Sequence, residues 1–213
     1  MMKLFWGPHT CAIGIHILLE EVGADYETEK LDVAGGATHA PPFLAINPKG
    51  KVPTLVRDDG SVLTEFGAIA TWLARTYPEK ALLPTDAEGE ARTIETLAYV
   101  EGTIHGQGFA RIFMPEMFGP QDVVHQATGL GSRSVKAKGL EIIERGFAIL
   151  DPMLARHDFA AGNALTIADM ALFYVERWAP QNGITLPINL QHHLRRMVAR
   201  PAVHKVRQLW GEL

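Results

Sequence analysis

Strand-like segments are confined to the first part of this 213-residue chain. They comprise Lys3–Trp6, Tyr26–Leu31 and a pair, Thr54–Arg57 and Ser61–Leu63, which an Asp-Gly turn joins into a predicted hairpin. After residue 90 the apolar residues follow helical spacing alone. With no strands to extend a sheet, the second part of the chain must build its core from helices. The sequence therefore predicts an α/β unit followed by an all-α unit.

Helical segments complete the order of the first unit. Apolar spacing predicts helices over Thr10–Val22 and Glu65–Tyr77, and one helical turn before Asn47-Pro48. The order is then β-α-β-(α)-β-β-α. A stretch rich in proline, aspartate and glycine follows and is typical of a linker. We predict a first domain at residues 1–80, a linker at 81–89 and an all-helical domain at 90–213.

The second unit begins with two long helical patterns. They cover Ala91–Phe118 and Ser132–Arg156, and the glycine-rich segment Gly129–Gly131 interrupts them. Two shorter helices are predicted near the end of the chain, at His192–Ala199 and Ala202–Leu209.

A capping box predicts the start of another helix in this unit. Thr166 and Asp169 have the spacing in which each side chain satisfies a backbone N–H of the other residue. The predicted helix begins at Ile167 and continues to about Ala179, where Pro180 is expected to end it.

Charge and composition exclude several classes of protein. The formal net charge of −4 argues against a nucleic-acid-binding protein, because phosphate contact needs a basic face. The basic stretch from His192 to Arg207 is interpreted mainly as a solvated helix face. Cys11 is the only cysteine, so an internal disulfide is impossible. No leader pattern and no run of about 18 apolar residues is present, so we expect a cytoplasmic protein without a membrane segment.

Two segments of the first unit suggest a peptide-binding surface. A cis bond between Val52 and Pro53 would leave nearby peptide groups outside the sheet, where they can pair with a bound peptide. A rigid turn without a ligand is an equally good interpretation. Glu65 is placed at a helix start, where free N–H groups favour an anionic ligand group and its own carboxylate can accept from an ammonium. The alternative is an acidic residue that only stabilises its own helix.

Cys11 and three histidines are the remaining candidates for chemistry. Cys11 lies near the start of the first predicted helix, a position that predicts a lowered thiol pKa and a role in binding or attacking sulfur. Burial as a small apolar residue is the alternative. His9 lies near this cysteine, His16 is interpreted as a packing or surface residue, and nothing local marks His105. No spacing of His, Cys, Asp or Glu resembles a metal site, so we expect no metal.

Taken together, these segments resemble the cytosolic glutathione transferase superfamily over essentially the whole chain. The matching motifs are Pro8-x-x-Cys11, Asn47–Pro53, Leu63–Glu65 and Leu165–Asp169. The chain is most similar to the bacterial beta class, which is marked by a cysteine at the position of Cys11 and a helical histidine like His105.

The resemblance implies a fold and an activity. The fold is a thioredoxin-like N-terminal domain followed by an α-helical C-terminal domain, assembled as a homodimer. The activity is addition of the glutathione thiolate to a small hydrophobic electrophile, or glutathione-dependent thiol exchange. Glutathione is then a co-substrate.

The resemblance also implies the residues of the site. Cys11 would face the glutathione sulfur, and His105 would approach from the second domain, as the catalytic pair. Glutathione would lie along a backbone segment and a helix start formed by Val52, Pro53, Glu65 and Phe66. The hydrophobic substrate would lie between the domains, with Trp6, Phe109 and Phe113 as contacts, although the two phenylalanines are equally well interpreted as core or dimer contacts.

Several residues depart from the family pattern. Phe66 stands where the family usually has Ser or Thr, and loss of that hydroxyl would cost roughly 1.5–3 kcal/mol of binding to a charged group. Trp6 replaces a tyrosine that is common early in the first strand, and Gly35 and Gly106 stand where beta-class members often carry lysines. These departures support a second hypothesis, a non-catalytic scaffold or binding protein with a degenerate glutathione site.

Overall fold

In the computed structural model, which describes residues 1–119 and 130–213, the chain begins with an α/β domain. Its strands and helices follow the predicted order β-α-β-(α)-β-β-α. They are β1 (Met2–Trp6), α1 (Ala12–Val22), β2 (Tyr26–Lys30), α2 (Pro41–Leu44), β3 (Thr54–Val56), β4 (Val62–Thr64) and α3 (Phe66–Thr76).

The strands of this domain form one mixed sheet in the order β2-β1-β3-β4. β1 runs parallel to β2, with Met2 opposite Tyr26, and antiparallel to β3, with Leu4 opposite Leu55. β3 and β4 form the predicted hairpin, with Leu55 opposite Leu63. β1 is central and largely buried, whereas β2 is an edge strand whose residues after Tyr26 are exposed.

The long elements in the rest of the described chain are helices. They are α4 (Ala87–Tyr99), a π-helix (Val100–Phe109), α5 (Ala110–Phe113), α6 (Leu130–Leu154), α7 (Ile167–Gln181), α8 (Ile188–Val198) and α9 (Pro201–Leu209). Within the two described ranges, no helix is both long and apolar enough to cross a bilayer.

α4 begins earlier than the sequence predicts. It starts at Ala87, inside the segment predicted as a linker, because the side chain of Asp86 caps it by accepting from the Gly89 N–H at 2.8 Å. The predicted break at Gly129–Gly131 lies partly outside the described residues, and its last two residues belong to α6.

Other helix ends also differ from the prediction. The helix predicted to reach Phe118 ends at Phe113, since Pro115 begins a separate turn and restricts the residue before it. α8 begins at Ile188 rather than at His192. The first turn of α8 carries Ile188 and Leu190, and the Gln191 N–H donates to the Pro187 carbonyl at 3.0 Å, so the helix starts directly after Pro187.

The capping box at the start of α7 is confirmed. The N–H of Thr166 donates to the Asp169 carboxylate at 2.7 Å. Pro180 does not end this helix but lies in its last turn, and the helix continues to Gln181. Gly183, with φ of 72°, then takes the left-handed conformation that follows many helix ends.

α1 is the helix at which the two domains meet. It is buried along most of its length and packs against α3, α7 and α9. Gly14 permits the close approach, because a Cβ there would lie 2.7 Å from the Met170 carbonyl oxygen and from the Phe66 ring. The two domains therefore share one continuous apolar core.

Part of the basic C-terminal stretch is paired rather than solvated. Arg200 donates to both carboxylate oxygens of Glu21 at 2.6 and 2.9 Å, and Lys205 contacts Glu20 at 2.8 Å. His193 is fully buried. The interpretation as a solvated face is therefore wrong for His193. Arg200 and Lys205 pair with carboxylates of α1 while 31% and 61% of their side chains stay exposed.

Candidate functional site

The loop before β3 is held in place by Asn47. The Val52–Pro53 peptide bond is cis. The buried Asn47 side chain donates to the Lys51 carbonyl at 2.8 Å and to Thr54 Oγ1 at 2.9 Å. Because β3 begins at Thr54, the main-chain groups of Val52 lie outside the sheet ladder.

Glu65 stands at the start of α3 with an uncommon backbone. Its φ of 71° and ψ of 130° lie outside the regions that residues other than glycine normally occupy. Its side chain is exposed and accepts from Lys49 Nζ at 2.8 Å, and the same ammonium donates to Thr64 Oγ1 at 2.9 Å. Backbone strain of this kind is concentrated at functional sites. It therefore supports the choice of Glu65 as a site residue.

The Phe66 ring points into the core and leaves the helix start open. The residue is 5% exposed, and its ring meets the edge of Tyr174 with centroids 5.1 Å apart. Phe66 is the first residue of α3, a position whose N–H has no partner within the helix. The missing hydroxyl is thus a real departure from the family pattern, but the ring does not cover the N–H groups of α3.

Cys11 lies directly before α1, with its Sγ 4.0 Å from the Val52 carbonyl oxygen. Burial raises the pKa of its thiol to about 12, and the carboxylate of Glu101 adds to the effect. The expected lowering by the helix start is therefore wrong. In the unliganded protein the side chain is a neutral thiol, which donates a hydrogen bond and is a poor nucleophile.

His105 lies on the π-helix and faces α7. Its Nδ1 is 3.2 Å from the hydroxyl of Tyr174, and its ring meets the edge of Trp178 with centroids 5.0 Å apart. Burial lowers the pKa of His105 to about 4, and the charge of Lys51 contributes. At neutral pH the ring is thus uncharged. One nitrogen donates and the other accepts.

Glu101 is a site residue that the sequence does not reveal. It lies one turn before His105 on the same helix, and its Oε1 accepts from the N–H of Gly67 at 2.9 Å. Burial raises the pKa of this carboxyl to about 7, the hydrogen bond from Gly67 opposes the rise, and the charge of Glu65 adds to it. A residue of the second domain therefore reaches the start of α3.

Tyr174 is the second residue that sequence reasoning misses. It is completely buried on α7, between Phe66 of the first domain and His105 of the second. Burial raises the pKa of its hydroxyl well above the usual value, with smaller effects from Cys11 and Glu101. The only available signal was its place one turn before Trp178, on the face that α7 turns toward the site.

The predicted substrate contacts differ in exposure. Trp6 stacks on Trp210 with centroids 4.2 Å apart and is buried, and Phe109 is completely buried. Phe113 is 44% exposed and its ring meets Trp178 at 5.2 Å. Phe113 is thus the one predicted contact with substantial free surface. Among the described residues, no three His, Cys, Asp or Glu side chains are grouped to hold a metal ion.

Known proteins resemble this chain in sequence along most of its length. Glutathione S-transferase family models match it at residues 10–76 for the N-terminal domain and 101–201 for the C-terminal domain. Glutathione S-transferase GstA of Escherichia coli O157:H7 is 33% identical over 207 residues, which cover 95% of either chain.

Solved structures resemble this chain over nearly its whole length. A glutathione transferase homologue from Sulfitobacter with bound glutathione has a TM-score of 0.89 at 27% identity, over 100% of this chain and 99% of that one. A bacterial beta class glutathione S-transferase from Sphingomonas chungbukensis has a TM-score of 0.84 at 30% identity, over 99% and 100%. The predicted thioredoxin-like domain and helical C-terminal domain are confirmed. The chain belongs to the glutathione S-transferase family and is an enzyme of the glutathione S-transferase type.

Proposed function

We propose that this enzyme adds the thiolate of glutathione to a small hydrophobic electrophile, or exchanges thiols in a glutathione-dependent reaction. The observation that carries the proposal is that the Cys11 thiol lies 4.0 Å from the Val52 carbonyl oxygen. This carbonyl is not paired in the sheet, because β3 begins at Thr54. A peptide lying along this carbonyl would bring a cysteine side chain close to Cys11.

The remaining site residues have matching roles in this proposal. The Phe66 N–H at the start of α3 suits the carboxylate of a γ-glutamyl group, because a helix start favours anions, whereas the Gly67 N–H already donates to Glu101. The neutral Cys11 thiol would donate to the glutathione sulfur and so favour its thiolate, the form that attacks. In conjugation the sulfur–carbon bond forms, the leaving group departs with its electron pair, and the thiol proton passes to solvent. His105 would face the same sulfur, and Phe113 the electrophile.

Substitution of Cys11 should separate conjugation from thiol exchange. Serine keeps a donor at this position, so Cys11→Ser should conjugate an activated aryl chloride at close to the wild-type kcat/KM. Cys11→Ala removes the donor and should lower kcat/KM about 10-fold or more, since a hydrogen bond to a charged group contributes roughly 1.5–3 kcal/mol. Exchange through a mixed disulfide on Cys11 should be lost in both variants.

The assay compares both reactions in the three proteins, with a low-molecular-weight mixed disulfide of glutathione as the exchange substrate. If wild type shows neither reaction and does not bind glutathione, the proposed function is wrong. If both reactions survive in Cys11→Ala, the assigned role of Cys11 is wrong.

The alternative, a scaffold or binding protein, rested on Phe66, on Trp6 and on Gly35 and Gly106 in place of lysines. Phe66 and Trp6 are buried in the core at 5% exposure, so neither ring occupies the surface where the peptide is proposed to lie. Absence of glutathione binding in wild type would support the alternative. We also propose a homodimer, which the family resemblance implies, and sedimentation velocity at several protein concentrations measures the assembly directly.

A further inference from the structure

Two consecutive residues of α7 hold the loop that precedes Cys11. Trp178 Nε1 donates to the His9 carbonyl at 3.0 Å, and the guanidinium of Arg177 donates to the Thr10 carbonyl at 3.4 Å. Both hydrogen bonds cross from the helical domain to the α/β domain. The position of the Cys11 thiol therefore depends on side chains of α7.

This loop has a backbone that needs outside contacts to persist. His9 has a φ of 60°, in the left-handed region that few residues other than glycine occupy. Within the loop, the hydroxyl of Thr10 donates to the Gly7 carbonyl at 2.7 Å, and the Thr10 N–H donates to the same oxygen at 3.4 Å. A strained backbone persists only where the surrounding structure imposes it. The two donors of α7 are contacts that can impose this shape.

Arg177 is itself held by residues near the end of the chain. It is 8% exposed, and its Nη1 donates to Glu212 Oε1 at 2.6 Å. Its guanidinium lies over the ring of Trp210, 5.7 Å from the ring centroid. Glu212 also lies 3.5 Å from Arg207 of α9. A buried guanidinium is held firmly by such a partner, because loss of the carboxylate would leave its charge unpaired.

We propose that Arg177 is a positioning residue for Cys11, and that Glu212 keeps Arg177 in place. Arg177 takes no part in bond making. Its hydrogen bond fixes the carbonyl of Thr10, the residue before Cys11, and so fixes where the thiol meets a bound peptide. The inference rests on the proposed function and adds a residue outside the proposed peptide surface.

Thiol exchange is the reaction that depends most on this position. The Cys11 thiol gives its proton to solvent, and its thiolate attacks the glutathione sulfur of a mixed disulfide. The new S–S bond joins Cys11 to glutathione, and the other thiol leaves as a thiolate that takes a proton from solvent. A second glutathione thiolate then attacks the same glutathione sulfur, forms glutathione disulfide and releases the Cys11 thiolate. A misplacement of about 1 Å can cost roughly 100-fold in rate.

The charge of Arg177 has a smaller effect on the thiol than burial has. Burial is the largest cause of the raised pKa of Cys11, and the carboxylates of Glu101 and Glu65 add to it. The guanidinium of Arg177 lowers the pKa of this thiol, but by less than burial raises it. Tyr174, the other titratable group of α7 that interacts with Cys11, is neutral at the pH of the assay. A loop that loosens should therefore make the thiol more reactive toward a small reagent.

Two rates measured on the folded protein at pH 8 test the proposal. Cys11 is the only cysteine, so alkylation by iodoacetamide reports this thiol alone and needs no glutathione. Arg177→Met keeps much of the side-chain length and removes the donor. We expect it to be alkylated about 10-fold faster, the gain in thiolate that corresponds to one pKa unit. Its kcat for exchange should fall about 10-fold or more, with the KM for glutathione almost unchanged. Arg177→Lys keeps a donor and should lie between wild type and Arg177→Met in both rates.

Glu212 acts through Arg177, so its variants should show that dependence. Glu212→Ala should change both rates in the same direction as Arg177→Met but by less. The double variant should equal Arg177→Met alone, because two residues that act in series do not add. Arg92 and Glu95 form an exposed pair on α4 at 3.0 Å and give the matched controls. Arg92→Met and Glu95→Ala should change neither rate.

Each other outcome overturns the proposal. Unchanged rates in Arg177→Met would show that Arg177 does not position Cys11, and slower alkylation would show that it acts through its charge. A raised KM at unchanged kcat would assign it to ligand binding, and additive losses in the double variant would refute the role of Glu212. If wild type neither exchanges thiols nor binds glutathione, the proposed function fails, while alkylation still decides whether Arg177 holds the loop. If Arg177→Met does not fold, Arg177→Lys and Glu212→Ala must show the same opposite changes in the two rates.

Discussion

Replacement of Asp169 by alanine should lower the free energy of unfolding by about 3–5 kcal/mol, as expected when one partner of a buried ion pair is removed. Asp169 is completely buried in the first turn of α7. It accepts from the N–H groups of Ala160 and Thr166, both at 2.7 Å, and its Oδ1 lies 3.0 Å from His193 Nε2. Alanine would leave all three donors without this acceptor.

The loss of unfolding free energy is large because His193, the partner of Asp169, is held as a cation. Its Nδ1 lies 2.9 Å from a carboxylate oxygen of Glu176, while its Nε2 faces Asp169. Each ring nitrogen thus faces a carboxylate, an arrangement that favours the imidazolium form, in which both nitrogens donate. Burial raises the pKa of Glu176 and so opposes its charge. Burial alone would favour the neutral ring, but the two carboxylates prevail and raise the pKa of His193 to about 10. Without Asp169, part of this buried charge is uncompensated.

Urea unfolding at pH 7 measures the effect, with Asp158→Ala as the control. Asp158 pairs with Arg196 at 2.8 Å on the surface. Exposed ion pairs contribute little, so the control should lose less than about 1 kcal/mol. A loss of similar size in both variants would show that the buried group contributes no more than a surface pair.

Local signals predicted the elements of the fold well, because each depends on neighbouring residues. The residues that form the Asp-Gly hairpin, and those that form the capping box of Thr166 and Asp169, lie within a few positions of each other in the sequence. The segment predicted as a linker ends early, because Asp86 caps α4 and the helix starts at Ala87. No local pattern indicated the π-helix.

Contacts between residues far apart in the sequence could not be predicted in the same way. Glu101 meets Gly67 across 34 residues of sequence, and Tyr174 meets His105 across 69. Spacing on one helix can suggest that Glu101 and His105 share a face, but not what lies opposite them. The resemblance to a family supplied His105, whereas Glu101 and Tyr174 needed the structure.

The wrong prediction for the Cys11 thiol pKa shows that burial outweighs the effect of a helix start. A helix start stabilises a nearby anion by typically 0.3–1 kcal/mol. Burial can raise the pKa of a thiol by several units, and each unit corresponds to 1.36 kcal/mol. Cys11 packs partly buried against the apolar core, so burial prevails over the helix start, and the pKa rises to about 12. The sequence indicated the helix start but not the burial of the thiol.

The charge of Glu101 should make the unliganded enzyme less stable at alkaline pH. Its carboxyl pKa is raised from 4.5 to about 7, chiefly by burial. The folded state then binds this proton more tightly than the unfolded state, so stability falls as the pH rises between these values. A rise of this size corresponds to at most about 3 kcal/mol. Glu101→Gln should equal wild type at pH 5 and exceed it by up to that amount at pH 8.

Urea unfolding of both proteins at pH 5 and pH 8 measures this difference, and Glu95→Gln should show none. A gain in Glu101→Gln that is equal at the two pH values would mean that packing, not charge, causes it.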